Sequence, residues 1–127
     1  MSDSPDQELI ARARSLIFER FKLDYHHVGA SLRTRSGRIF SAVHLEAHVG
    51  RVAVCAEAVA LGMAASAGDT DVEAVVAVDR HGRIVPPCGM CRELLSDYAP
   101  DCRVILGEGR SVSVGDLLPE KYRREGD

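Results

Sequence analysis

No apolar run in this 127-residue chain approaches the roughly 18 residues needed to cross a bilayer. The opening segment, Met1 to Glu8, is acidic and polar, with neither the basic start nor the apolar centre of a secretory leader. Positive charge is short as well. Only 16 Lys and Arg stand against 19 Asp and Glu, a net charge of −3, whereas binding a phosphate backbone needs concentrated cations. These absences argue against a membrane protein and make nucleic acid a poor partner. The expected location is cytoplasmic, and there the four cysteines are expected as reduced thiols or metal ligands, not disulfides. Neither an internal repeat nor a low-complexity linker interrupts the chain, so residues 1–127 are read as one domain.

What the chain does contain is an ordinary globular mixture, 46% apolar and 28% charged. A chain of this length buries roughly two-thirds of its unfolded surface, so its core needs no covalent staples. Met1 to Ser4 are expected to fray, with Asp3 or Ser4 capping a helix that has Pro5 in its first turn. Leu9, Ala13, Leu16, Ile17 and Phe21 fall near helical spacing, predicting a core-packing helix from about Pro5 to Phe21. Val28 to Thr34 and Arg38 to His44, separated by Ser36-Gly37, read as a β-hairpin. Cys55 to Ala67, ended by Gly68, reads as a helix. Val72 to Val78 reads as a strand buried on both faces. After the His81-Gly82 turn, Pro86-Pro87 precede a helix from about Cys88 to Tyr98, stopped before Pro100. Arg103 to Leu106 and Ser111 to Val114 are short strands, and Asp116 to Leu118 begins a helical turn. Strands alternating with helices after an opening hairpin imply an α/β layered domain, a mixed sheet covered by helices on both faces.

Two segments carry chemistry. Cys55-Ala56-Glu57 opens the second helix, and Pro87-Cys88-Gly89-Met90-Cys91 opens the third. Should those helix starts converge at one sheet edge, Cys55, Cys88 and Cys91 can hold one Zn²⁺ and leave the fourth tetrahedral position open for water. The free N–H groups and partial positive charge of two helix starts would offset the excess negative charge of three thiolates and lower the thiol pKa values. A bound zinc would in turn acidify its water toward neutrality. Glu57, two residues past Cys55, can lie beside that water without binding the metal. A carboxyl next to an anionic metal centre is expected to have a raised pKa, which suits a proton shuttle.

Plainer readings compete. A lone C-x-x-C also suits a thioredoxin-like redox pair, but this one lies late in the chain and would leave Cys55 and Glu57 unexplained. A closed structural site with Cys102 as fourth ligand would make the chain a zinc-stabilised interaction domain. Yet Cys102 lies beyond a helix of about ten residues, roughly 15 Å from Cys88 unless the chain folds back. Cys102 is therefore read as a small buried residue. The pairing of C-x-E with P-C-x-x-C is far more specific than either half.

These motifs resemble the zinc-dependent nucleoside deaminases, and the all-cysteine ligand set is similar to the small cytidine deaminases and blasticidin-S deaminases. Val28-Gly29-Ala30-Ser31-Leu32, Ser36-Gly37-Arg38-Ile39-Phe40 and Leu117-Leu118-Pro119 add to the likeness at the family's order and spacing. The resemblance implies a five-stranded mixed sheet sandwiched by helices in three layers, a Zn²⁺ cofactor, and a small nucleoside substrate. It also implies a homo-oligomer, commonly a tetramer whose neighbouring subunits border each site. Glu57 would be the catalytic acid–base, and zinc-bound water would attack C4 of a 4-aminopyrimidine. Cytidine or deoxycytidine is the default substrate, with blasticidin S or another aminated heterocycle as the alternative. Arg92 matches the family arginine after the last ligand and is expected to hydrogen-bond a thiolate. Phe40, His44 and Glu46 stand where the family has F-x-x-x-N-x-E, so His44 replaces a sugar-binding Asn. His26 stands where an aromatic precedes V-G-A, and Tyr122 resembles a C-terminal aromatic that closes over the base, in its own or a neighbouring subunit. Backbone groups of Ala56 would read the base edge, and the carbonyl of Pro87 or Cys88 would accept from the leaving amine. Ala58 replaces the arginine that usually follows the shuttle Glu in cytidine deaminases, a point closer to the blasticidin-S enzymes.

Overall fold

A computed structural model describes residues 4–126 of the chain. Met1 to Asp3, expected to fray or to cap, lie outside the described residues. Helix α1 spans Pro5–Arg20. Ser4 caps it with a capping box: its hydroxyl accepts the Gln7 N–H at 3.1 Å, and the Gln7 side chain accepts the Ser4 N–H at 2.9 Å. Strands β1 (Val28–Thr34) and β2 (Ile39–Val43) form the expected hairpin. Gly37 sits in its turn at φ 93°, a conformation that favours glycine. Helix α2 (Ala56–Ser66), strand β3 (Val72–Asp79), helix α3 (Gly89–Tyr98), and strands β5 (Arg103–Gly107) and β6 (Arg110–Ser113) fall close to their sequence expectations. The closing helical turn is a 3-10 turn, Val114–Leu117.

The sheet runs β2-β1-β3-β5-β6, and only β3 and β5 are parallel. This is the expected five-strand mixed path. A sixth strand, β4 (Ile84–Val85), was not legible in the sequence. It pairs with β3 at Ala77 and Val78, just past the stretch where β5 pairs at Ala74 and Val75. It stops after two residues because Pro86-Pro87 cannot donate to a ladder.

Alternation along β3 divides the core into two layers. Ala74, Val76 and Val78 face α1 and pack with Leu9, Ile10, Ala13 and Ile17. On the other face Val75, with Leu32 and Val104, packs under Ala60, Leu61 and Ala64 of α2 and Leu95 of α3. Helices therefore cover both faces, giving the three-layer α/β sandwich. The β1–α1 contact is close because Gly29 has no side chain; a Cβ there would stand 2.7 Å from the Ala13 carbonyl oxygen. The start of α2 also sits close to the sheet. Ala56 packs against Ala30 of β1 and Ala77 of β3 in a small alanine cluster. Among the described residues no helix is long and apolar enough to cross a membrane.

Candidate active site

Cys55 and Cys88 are the N-cap residues of α2 and α3, both in extended backbone (ψ 148° and 168°). Neither side chain caps its own helix. Ser or Asp at such a position turns its oxygen onto the helix N–H groups; here the sulfurs turn toward each other. Cys91 lies in the first turn of α3. The Sγ atoms of Cys55 and Cys88 are 3.5 Å apart, and all three sulfurs lie within 4.8 Å of one another. Zn–S bonds of about 2.3 Å in a tetrahedron put sulfurs roughly 3.8 Å apart, so the cluster fits zinc. The cysteines are free thiols, and Cys102 is fully buried in the α2–α3 core layer, not in the cluster. Among the described residues, no fourth His, Cys, Asp or Glu joins the three. The closed structural site and the redox pair both fail on this geometry. A Cys88–Cys91 pair alone would have no use for Cys55.

The expectation that both helix starts lower all the thiol pKa values is only partly met. Burial resists ionisation of Cys88, but the N–H groups of Cys91 and Met90 and the adjacent thiols outweigh it, and its pKa is lowered. Burial raises Cys55, and burial followed by the charge of Glu57 raises Cys91 strongly. At Cys55 and Cys91 the charge of neighbouring thiolates adds to burial in opposing ionisation, and a divalent cation among the thiols would reverse that balance. Burial pushes Cys102 up to about 11, outweighing the nearby charges of Arg103 and Arg35, which lower it.

Glu57 occupies the first turn of α2 and is only 6% exposed. Its carboxyl is raised from the usual range, as expected, but the leading cause is burial. It borders a narrow void with Val75, Ala77, Val85 and Pro87, and its charge is felt at both Cys55 and Cys91. Ala56 is buried at the first position of α2. Pro87 is buried immediately before Cys88.

Arg92 departs from its expectation. Its Nε donates to the Pro87 carbonyl at 2.9 Å and its Nη1 to the Leu117 carbonyl at 3.3 Å. It ties the P-C-x-x-C turn to the C-terminal segment instead of bonding a sulfur, because the carbonyls of two converging turns lie within its reach. The remaining residues divide. Leu45 pairs with Val54 in an isolated antiparallel bridge, which brings His44 and Glu46 alongside the chain leading into Cys55. His44 Nε2 faces Glu46 Oε2 at 3.4 Å, and His26 Nδ1 donates to the His44 carbonyl at 2.9 Å. Phe40 packs on the core layer beneath α2, with the Arg38 guanidinium 5.1 Å from its ring centre. Tyr122, 71% exposed, lines a groove along α3 with Glu93, Asp97 and Tyr98; none of the three cysteines lines it.

Beside the thiols lies an apolar depression formed by Ala53, Val54, Ala58, Met90 and Leu94. Sequence reasoning singled out only Ala58 of these. The bridge that positions Ala53 and Val54 joins residues nine apart outside any regular strand, so no periodicity marks it.

Known proteins resemble this chain. A family model described as the cytidine and deoxycytidylate deaminase zinc-binding region matches residues 3–108. The blasticidin-S deaminase of Bacillus cereus is 48% identical, covering 94% of this chain and 93% of that protein. A cytidine deaminase of Halalkalibacterium halodurans is 35% identical, over 77% of this chain and 78% of its own. The crystal structure of cytidine deaminase from Burkholderia pseudomallei superposes with a TM-score of 0.79 at 32% identity, covering 94% of this chain and all of that one. That from Mycobacterium tuberculosis superposes with a TM-score of 0.85 at 26% identity, covering 96% and 100%. With its three-thiol cluster and buried glutamate in the same fold, this chain belongs to the cytidine and deoxycytidylate deaminase family of zinc-dependent deaminases.

Proposed function

We propose that the protein hydrolyses the 4-amino group of a cytosine nucleoside, releasing ammonia and leaving the corresponding uracil nucleoside. One observation carries the reading: a buried carboxyl, Glu57, in the first turn of α2 and within electrostatic reach of Cys55 and Cys91, adjoins a cluster of three thiols that no fourth side chain joins among the described residues. Cys55, Cys88 and Cys91 would hold a zinc ion, which would supply the Lewis acidity that makes water nucleophilic at neutral pH. Glu57 takes a proton from the water that adds to C4 and delivers it to N3. It then carries the second proton to the departing amine, and the carbonyl forms as ammonia leaves. Burial favours the protonated carboxyl, which lets Glu57 donate as well as accept. The N–H of Ala56, one of the helix-start groups without an intrahelical acceptor, is available to the base edge. The Pro87 carbonyl keeps a second lone pair beyond its Arg92 bond, and that pair can accept from the leaving amine. His44 and Glu46 offer a donor and an acceptor to the sugar, and His26 braces them. Phe40 serves as packing.

Cytidine and deoxycytidine are the simplest substrates of this class. A second reading, a larger cytosine nucleoside such as blasticidin S, is favoured by the 48% identical relative of that name, by Ala58, and by His44. Exposed Met90, which lines the depression beside Cys55 and Cys91, and exposed Val49 and Val52 in the segment leading to Cys55 favour a site completed by a second copy, and a homotetramer would let Tyr122 reach a neighbour's site. A cytoplasmic setting would keep the thiols reduced. The test is ammonia release by the zinc-loaded protein from cytidine, deoxycytidine, blasticidin S, cytosine and adenosine. Turnover of at least one cytosine nucleoside, with little from free cytosine or adenosine, is expected. The ratio between blasticidin S and cytidine decides between the two readings, and no release from any cytosine nucleoside overturns both.

A further inference from the structure

The loop between α1 and β1 grips one residue of the site with unusual completeness. The N–H of His27 donates to Nδ1 of His44 at 2.9 Å. A backbone amide can only donate, so Nδ1 must be bare, and a neutral ring then carries its proton on Nε2. His26 Nδ1 donates to the His44 carbonyl at 2.9 Å, while the N–H groups of His44 and Glu46 donate to the carbonyls of Val28 and Tyr25. The His27 ring packs on the His44 ring, centroids 5.4 Å apart. His27 is itself fixed, since its Nε2 accepts the N–H of Asp24 at 2.9 Å across a tight turn where Asp24 adopts φ 68°.

The location gives this grip a purpose. Leu45 and Val54 are cross-strand partners, so their side chains share one side, and the residues flanking them share the other. Continued by one residue, that register sets His44 opposite Cys55. Glu46, its Oε1 held by the Ala47 N–H at 3.0 Å, presents Oε2 to His44 Nε2 at 3.4 Å. With the proton on Nε2, this corner offers one donor and one acceptor. A hydroxyl, which accepts from one group and donates to another, satisfies both. With the proton on Nδ1, the corner would offer two acceptors, and a hydroxyl could satisfy only one.

We propose that His27 is a positioning residue: its side chain holds the loop so that its backbone N–H locks His44 in the Nε2–H tautomer, and the His44–Glu46 pair then presents one donor and one acceptor to a sugar hydroxyl. The consequence for substrate choice rests on the deaminase reading; the tautomer does not, and it can be read without turnover. The experiment uses the full-length, zinc-loaded protein with ¹⁵N-labelled histidine. Long-range ¹H–¹⁵N correlations are compared for wild type, His27→Ala and His27→Gln, with His44→Asn to assign the signal. His44 is expected solely as the Nε2–H form in wild type. His27→Ala keeps the amide but loses the ring that holds the loop through the Asp24 N–H, so a second form is expected there. His27→Gln, whose side-chain oxygen can still accept that N–H, is expected back toward one form. An unmixed Nε2–H signal in His27→Ala overturns the role given to the His27 side chain. Kinetically, His27→Ala is expected to raise KM for cytidine about three- to tenfold, the scale of one neutral hydrogen bond. The KM for 2′,3′-dideoxycytidine should move much less, and kcat and zinc content should stay near wild type. Nδ1-protonated His44 in wild type overturns the proposal, as does an equal rise in KM for both nucleosides. Should His27→Ala fail to fold, the wild-type spectrum still decides the tautomer. An Nε2–H signal without turnover of any cytosine nucleoside would uphold the lock and remove the deaminase reading instead.

Discussion

Glu57 and the cysteines separate chemistry from packing most cleanly. Glu57→Gln keeps the size and hydrogen-bonding capacity of the side chain but cannot carry a proton. It is expected to retain zinc and fold while losing at least about a hundredfold in kcat; wild-type turnover in that variant would remove Glu57 from the mechanism. Cys88→Ala takes one of the three clustered thiols proposed to hold zinc. Metal analysis after dialysis is expected to find little zinc, and ammonia release should disappear with it. Cys102→Ala is the contrasting case. Its thiol is buried in the α2–α3 core layer, so the change should leave zinc and activity near normal. It should cost about 1 kcal/mol in denaturant unfolding, the cavity term for one buried atom. Equal zinc loss in both variants would mean that Cys102 ligates after all.

At the scale of elements, small residues allow the helices to approach the sheet. The chemistry depends on that approach, because Cys55 and Glu57 ride on the first turn of α2, seated on Ala30 and Ala77. On the opposite face Gly29 admits the backbone of α1. Gly29→Ala pushes a methyl group to within 2.7 Å of the Ala13 carbonyl oxygen and 3.0 Å of the Ile17 Cβ. Helix backbone cannot yield as a side-chain end can, so a loss of about 1–3 kcal/mol is expected by thermal or denaturant unfolding. An unchanged midpoint would show that α1 shifts freely on the sheet. Arg92 acts between elements too, joining the α3 entry turn to the segment after β6 through two carbonyls.

Across the whole molecule, one ionic network fastens the first helix to the sheet. Asp6 pairs with Arg103 at 2.8 Å and with Arg33 at 3.2 Å, and Arg33 pairs with Glu73 at 2.8 Å. Hydrogen bonds from Arg103 and then Arg33 hold the Asp6 carboxyl below its ordinary 3.8 despite partial burial, and Arg33 does the same for Glu73 below 4.5. A carboxyl with a lowered folded-state pKa stabilises the fold fully above its unfolded value, and that contribution is lost as pH falls through the folded value. Stability should therefore be level near neutrality and fall as pH drops below about 4.5. Asp6→Asn should flatten part of that fall in an acid titration followed by circular dichroism; an unchanged profile would show that the network contributes nothing measurable. Assembly is a second property of the whole. Val49 and Val52, in the segment leading to Cys55, are 55% and 60% exposed, and Met90, beside the thiols, is 71% exposed. Light scattering is expected to find an oligomer, and a monomer at working concentration would remove the proposal of a shared site.

The amino-acid sequence by itself determined the elements, because the helix of Leu9, Ala13 and Ile17 and the apolar run of β3 are written in local periodicity. It also named the three candidate zinc cysteines and the acid, through C-x-E and P-C-x-x-C; that the two helix starts converge and that Glu57 is buried was decided by the fold. Everything resting on contacts between distant segments was decided by tertiary structure. Strand β4 exists only because β5 leaves Ala77 and Val78 of β3 unpaired. Arg92 bonds carbonyls five and 25 residues away in sequence instead of a sulfur. The thiols of Cys55 and Cys91 are raised, not lowered, because burial is a property of the folded surroundings that no motif records. The tautomer of His44 is set by an amide 17 residues earlier, through a hydrogen bond that forms only once the loop between α1 and β1 lies against the strand end.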